Sequence, residues 1–148
     1  MEVYEVTSKT CALVYLEENK TEVIEDSRSL IINNSPLEII KQSCEYYGSS
    51  FEGRLKGSQK SIGMFYKLPI IIEASNDIIF FPTLSTSKQD CSFVSLKNVE
   101  DYKKEDNNVL VRFHGGQVCK FPISYESFEN QIYRATKLLL IMKKRKNM

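Results

Sequence analysis

Tyr125, Phe128, Ile132, Ala135, Leu138, Leu139 and Met142 recur at intervals of three and four residues, which places them on one face of a helix running from about residue 125 to 144. Ser124 can cap that helix by accepting a backbone N–H bond, and Glu126 places negative charge at the positive end of its dipole. A helix with one apolar stripe must lay it on something, so the remaining chain has to supply a packing surface. Leu138 to Met142 are five apolar residues in succession, more than one buried face can absorb. With Tyr125 and Phe128 they are candidates for a subunit interface, the alternative being that all of them lie in the monomer core.

The surface reads as sheet. Residues 3–7, 11–17, 21–25 and 29–32 have the composition of short strands separated by polar turns. Ser35-Pro36-Leu37-Glu38 is a capping box with proline at the first helical position, and it opens a helix that Gly48 should end. Leu37, Ile39, Ile40, Cys44 and Tyr47 give that helix an apolar face. Residues 48–61 hold three glycines and four serines and are expected to form a long loop. Residues 69–74 and 78–83, joined by Ser75-Asn76-Asp77, read as a hairpin, and 92–96, 109–113 and 117–123 continue the sheet, with Gly115-Gly116 turning between the last two. The expected fold is α+β: a mostly antiparallel, curved β-sheet with an internal helix and a long C-terminal helix. As a fold-level analogy it is similar to a small PH-like barrel. With 148 residues and 42% hydrophobic content, residues 1–148 suit a single domain.

Several function classes fit poorly. No apolar run approaches the length of a membrane span, and the N-terminal MEVYEVTSK is acidic and alternating, so a cytoplasmic protein without a membrane partner is expected. Cys11, Cys44, Cys91 and Cys119 are widely spaced with no CxxC, and His114 is the only histidine, so buried reduced thiols are expected and no metal or cofactor. Cys91 or Ser85 as a nucleophile would need His114, which lies beside a Gly-Gly turn where a solvated histidine is the ordinary finding. No catalysis is expected. Gly48, Gly53 and Gly57 follow a helix, so they form neither a Walker A loop nor a dinucleotide fingerprint. No helix-turn-helix, zinc-finger or basic-zipper pattern is read, because a glycine-rich loop is expected after the first helix.

The net charge of +1 conceals a segregation. Residues 1–30 carry seven acids against Lys9, Lys20 and Arg28, whereas 53–72 carry Arg54, Lys56, Lys60 and Lys67 with no acid. From Gln131 onward Arg134, Lys137, Lys143, Lys144, Arg145 and Lys146 again stand without an acid. Such separation suits a polyanion-binding protein, although basic residues at a helix end also complement the dipole. The glycines would let backbone approach a ligand, and Ser49, Ser50, Ser58 and Ser61 offer short donors for phosphate oxygens. A flexible Gly/Ser connection with merely solvated charges is the alternative.

Four motifs occur in one order: Ser43-Cys44-Glu45-Tyr46-Tyr47-Gly48-Ser49-Ser50-Phe51-Glu52-Gly53-Arg54; Lys67-Leu68-Pro69-Ile70; Phe81-Pro82-Thr83-Leu84-Ser85 followed by Cys91; and Ile123-Ser124-Tyr125-Glu126-Ser127-Phe128-Glu129-Asn130-Gln131-Ile132-Tyr133-Arg134. Together they resemble the competence transcription factor family (ComK) of low-GC Gram-positive bacteria, from about Pro36 to Ala135. Leu68 stands where the family has proline and Phe93 where it has tryptophan, both apolar replacements. The resemblance implies an activator that binds paired A·T-rich boxes of double-stranded DNA through the minor groove, where a narrow groove attracts inserted arginine. The residues expected to contact DNA are Ser49, Ser50, Arg54, Lys56, Lys60, Lys67 and Arg134, with Arg54 reaching a base edge or the narrow groove from a flexible loop. A homodimer, a larger assembly on DNA and contact with RNA polymerase are implied as well. The sequence ends at Lys146-Asn147-Met148, so it resembles a short form without the C-terminal extension that longer members use for adaptor-dependent Clp proteolysis. Slow degradation by that system is therefore expected. Two other readings stay open: a short paralogue that modulates a full-length homologue, and a PH-like module binding protein or anionic lipid.

Overall fold

Two antiparallel sheets, one of six strands and one of three, carry the chain, and residues 2–147 are described in the computed structural model. β1 (Thr10–Glu17) and β2 (Lys20–Glu25) form a hairpin whose turn contains Asn19 at φ +57°, a left-handed conformation that asparagine tolerates. β3 (Ser29–Ile32) pairs with β2, and then come α1 (Pro36–Tyr46) and α2 (Phe51–Ile62). β4 (Ile70–Glu73) and β5 (Ile78–Pro82) make the expected hairpin, and β6 (Phe93–Ser95) lies between β5 and β1. The large sheet therefore runs β3-β2-β1-β6-β5-β4. β7 (Val99–Glu105), β8 (Asn108–Phe113) and β9 (Val118–Phe121) form the small sheet, followed by α3 (Tyr125–Lys146).

Alternation along the central strands sorts their side chains to two faces. Ala12, Ile24, Ile79, Phe81 and Val94 meet the small sheet (Val109, Val111, Phe113, Phe121) and the stripe of α3 (Phe128, Ala135, Leu138, Met142). Leu13, Val23, Phe80 and Phe93 meet Ile39, Ile40 and Cys44 of α1 and Phe51 of α2 on the other face. The β8–β9 turn docks on the β2 end: Gly115 has φ +100°, and a Cβ there would collide with the Asp26 carbonyl. The α+β class holds, but the two sheets share no ladder, so the fold is not a closed barrel.

Three expectations are corrected. Residues 48–61 are not a loop: Gly48 at φ +85° ends α1, and after a four-residue connection Ser50 caps α2, its Oγ accepting from the Gly53 N–H at 3.0 Å. Phe51, Leu55, Ser58 and Ile62 line the inner side of α2, so tertiary burial overrides the low propensity of Gly53 and Gly57. The premise used to set aside a helix-turn-helix pattern falls with the loop, because a second helix does follow α1.

Residues 3–7 are not a strand. Their polar groups are taken elsewhere: Val6 N–H donates to Ser43 Oγ (3.1 Å), Val6 C=O accepts from Tyr47 Oη (2.8 Å), and Tyr4 Oη donates to Glu25 (2.5 Å). Phe128 is fully buried between Phe81, Tyr102 and Phe121, which removes it from any subunit interface. Leu138 and Met142 are buried too, whereas Leu140 is 63% exposed. β7 is a strand that the sequence pattern does not announce, since its VEDYKKE residues are mostly exposed edge positions.

Candidate nucleic-acid interface

α2 decides how the expected contact residues are presented. Its inner side is fixed by Phe51 and Ile62 in the core and by buried Ser58, whose Oγ donates to the Pro69 carbonyl at 2.6 Å. The opposite side then faces solvent, with Gly53, Lys56, Gly57 and Lys60 all exposed. Lys56 and Lys60 are one turn apart and share that side. Neither makes an ion pair among the described residues. A Cβ on Gly57 would meet nothing within 4 Å, so packing gives no reason for glycine in this helix interior.

The N-terminal end of α2 holds three more of the expected residues, but in structural work. Ser50 is the cap, and Ser49 Oγ donates to the Cys44 carbonyl (3.0 Å) while accepting from Arg54 Nε (3.2 Å). Arg54 is therefore half-buried on the flank of a helix and tethered to Ser49, not carried on a flexible loop. Its guanidinium has one nitrogen in that tether, and its terminal nitrogens make no hydrogen bond among the described residues.

Lys67 and Arg134, 67 positions apart in sequence, are brought together at the other end of α2. Buried Gln131 donates from Nε2 to the carbonyls of Lys67 (2.9 Å) and Pro82 (2.8 Å), pinning α3 across the β5 end. Arg134 Nη1 donates to the Tyr66 carbonyl (2.9 Å) and to Gln131 Oε1 (3.2 Å). The sequence pattern missed Gln131, and also Phe65 and Tyr66, which are 72% and 81% exposed. The signal for Gln131 was an amide on the stripe side of an amphipathic helix. For two consecutive aromatics, sequence alone predicts burial.

The basic C-terminal tail of α3 is partly neutralised. Lys143 and Lys146 approach Asp77 at 3.5 and 3.8 Å, and Arg145 donates to Ser61 Oγ at 3.0 Å, so this end is fastened to the β4–β5 turn and to α2. Lys137 and Lys144 remain without an ion pair among the described residues. Ser61, expected as a phosphate donor, serves Arg145 instead.

No catalytic grouping forms from the residues considered for one. Burial pushes the thiols of Cys11, Cys44 and Cys91 up to about 11, away from reactive thiolate. Cys91 Sγ bonds the carbonyls of Leu84 and Ser92, Ser85 bonds Ser87, and exposed His114 lies 3.6 Å from Glu100, so the three share no hydrogen bond. Among the described residues no group of three or more His, Cys, Asp or Glu could hold a metal, and no helix is long and apolar enough to cross a membrane.

Comparison with known proteins agrees with the motif pattern. The competence transcription factor of Bacillus subtilis (strain 168) is 38% identical over 138 residues, covering 90% of this chain and 72% of that protein. No solved structure matches. The ComK protein family matches residues 1–147, essentially the whole sequence, and with this coverage the chain belongs to the ComK protein family.

Proposed function

We propose that the protein is a competence transcription regulator that binds double-stranded DNA without catalysis, prefers A·T-rich boxes through the minor groove, and activates transcription. The observation that carries this reading is the solvent side of α2, where Lys56 and Lys60, without an ion pair among the described residues, are exposed beside Gly53 and Gly57. A glycine interior to a helix costs roughly 1 kcal/mol relative to alanine. Gly57 has no packing reason, and closeness of a ligand backbone supplies one. Lys67 and Arg134 extend positive charge beyond the C-terminal end of α2, and Arg54 contributes at its start. A·T pairs expose only acceptors in the minor groove, so a few donors suffice to read them.

Salt titration of binding to A·T-rich and G·C-rich duplexes tests the proposal. Each phosphate neutralised contributes about −0.9 to the slope of log K against log salt, so Lys56→Ala and Lys60→Ala should each flatten the slope by about one. Unchanged slopes and affinities in both variants would remove α2 from the contact. Arg54→Lys should weaken A·T preference more than overall affinity, because lysine lacks the planar fork.

A second docking mode has its own observation. α1 and α2 are joined by a four-residue, glycine-containing connection, the length used in helix-turn-helix units whose second helix enters the major groove. Competition separates the two: a minor-groove dye displaces the protein in the first mode, and a major-groove ligand in the second. Paired boxes favour a homodimer that builds a larger assembly on DNA.

A further inference from the structure

We propose that Phe65 and Tyr66 form an aromatic wedge that enters a base step of the bound duplex. The inference rests on the DNA-binding reading above and adds to it a contact that phosphate binding does not require. Both residues lie in the connection between α2 and β4, which leaves the helix at Gly63 (φ +69°) and reaches the strand through Lys67 (φ +49°). An exposed aromatic on a loose loop can fold back onto its own surface. This connection is held instead, because the carbonyls of Tyr66 and Lys67 accept from Arg134 and from the buried amide of Gln131, each at 2.9 Å. Met64 packs against the core behind them. Neither Phe65 nor Tyr66 makes a ring–ring contact among the described residues. The result is a pair of large apolar rings on a fixed backbone, projecting into water.

Charge identifies the occupant. Lys67 follows the pair in the chain and Arg134 bonds the Tyr66 carbonyl, residues 53–72 contain no acid, and α3 contains none after Glu129, which hydrogen-bonds Tyr102. A partner for this site must offer dense negative charge beside flat apolar faces, and a partly unstacked base step between two phosphodiester strands offers both. An anionic membrane is the less fitting source. Its apolar depth is met by an extended amphipathic face, whereas the adjoining solvent side of α2 carries Glu52, glycine and lysine and no exposed apolar side chain. T–A steps unstack most readily, so one within an A·T-rich box is the expected point of entry.

The test places 2-aminopurine at the T–A step of an A·T-rich duplex and follows its fluorescence as the full chain binds, alongside affinity and salt slope. Binding should raise the fluorescence. Phe65→Ala/Tyr66→Ala should abolish the rise and weaken binding about tenfold, as loss of aromatic–base stacking does, while leaving the salt slope unchanged because the rings displace no counterions. Phe65→Leu, which keeps an apolar wedge, should retain most of the rise. If the wild-type protein binds the duplex with no change in fluorescence, the wedge is wrong and DNA binding stands. If it binds no duplex, both readings fall. If the double alanine variant keeps the rise, or loses only binding to anionic vesicles or self-association in sedimentation, the rings serve another surface. The wild-type fluorescence and the leucine variant decide the matter even if the double variant does not fold.

Discussion

At the scale of single residues, position within α2 separates what the fold needs from what a ligand would need. Ser50 caps the helix, Ser58 satisfies the Pro69 carbonyl from inside, and Phe51 and Ile62 fill the core, so each is accounted for by stability. Gly57 is not. Gly57→Ala should raise stability by about 1 kcal/mol through helix propensity, since the new methyl meets nothing in the folded chain. The same methyl stands between the helix and an approaching phosphate backbone, so affinity for A·T-rich duplexes should fall. Thermal unfolding and duplex titration of one purified variant check both signs. A variant that is more stable and binds DNA as before would show that the glycine side of α2 is not a contact surface.

At the scale of elements, the N-terminal segment replaces the expected first strand with a strap held by side chains. Tyr4 donates to Glu25, and Arg28 bonds the same carboxylate at 2.7 Å. Burial alone would push the Glu25 carboxyl up, but the hydrogen bonds from Arg28 and Tyr4 and the charge of Arg28 outweigh it and hold Glu25 below its ordinary range. A depressed folded-state pKa gives stability that is present above the unfolded value near pH 4.3 and lost as pH falls through the folded value. Tyr4→Phe should therefore cost about 1.5 kcal/mol at pH 7, the usual scale for a bond to a charged group, and that gap should shrink below about pH 4. Urea unfolding of both proteins at pH 7 and pH 3 measures it, and an equal gap at the two values would separate Tyr4 from the Glu25 carboxylate. The elements that sequence announces are those with a clean period or a specific cap: β1, β2, β3, α1 behind Ser35, the β4–β5 and β8–β9 hairpins, β6 and α3. α2 hides because two glycines lower its propensity and a serine occupies a buried place in its stripe. β7 hides because an edge strand tolerates charge at nearly every position. For the candidate site, segregation of basic residues is legible, but which side of which helix presents them depends on tertiary packing. The exposure of Phe65 and Tyr66 is a tertiary fact, fixed by Gln131 and Arg134 from the far end of the sequence.

At the scale of the whole molecule, burial narrows where a second copy can dock. Phe128, Leu138 and Met142 belong to the core, and Tyr125 packs against Tyr102, which leaves the outer side of α3 as the exposed apolar surface on that helix. Ile132, Tyr133, Thr136, Lys137 and Leu140 line a shallow groove of about 350 Å³ there, with Tyr133 76% and Leu140 63% exposed. Two boxes on one duplex call for two subunits related by symmetry, and a helix side meeting its own copy is a self-complementary contact. If the dimer forms through this side, Leu140→Lys should drive the protein to monomer, since the new lysine would face its symmetry mate near the axis and beside Lys137. Binding to a single box should survive, because Leu140 points away from the core and lies outside α2, while the gain in affinity from a second correctly spaced box should disappear. Sedimentation at micromolar concentration, with and without duplex, reads the first effect, and titration of one-box and two-box duplexes reads the second. A wild-type protein that is monomeric in both conditions refutes assembly altogether. A Leu140→Lys dimer that still gains from the second box places the interface on another surface.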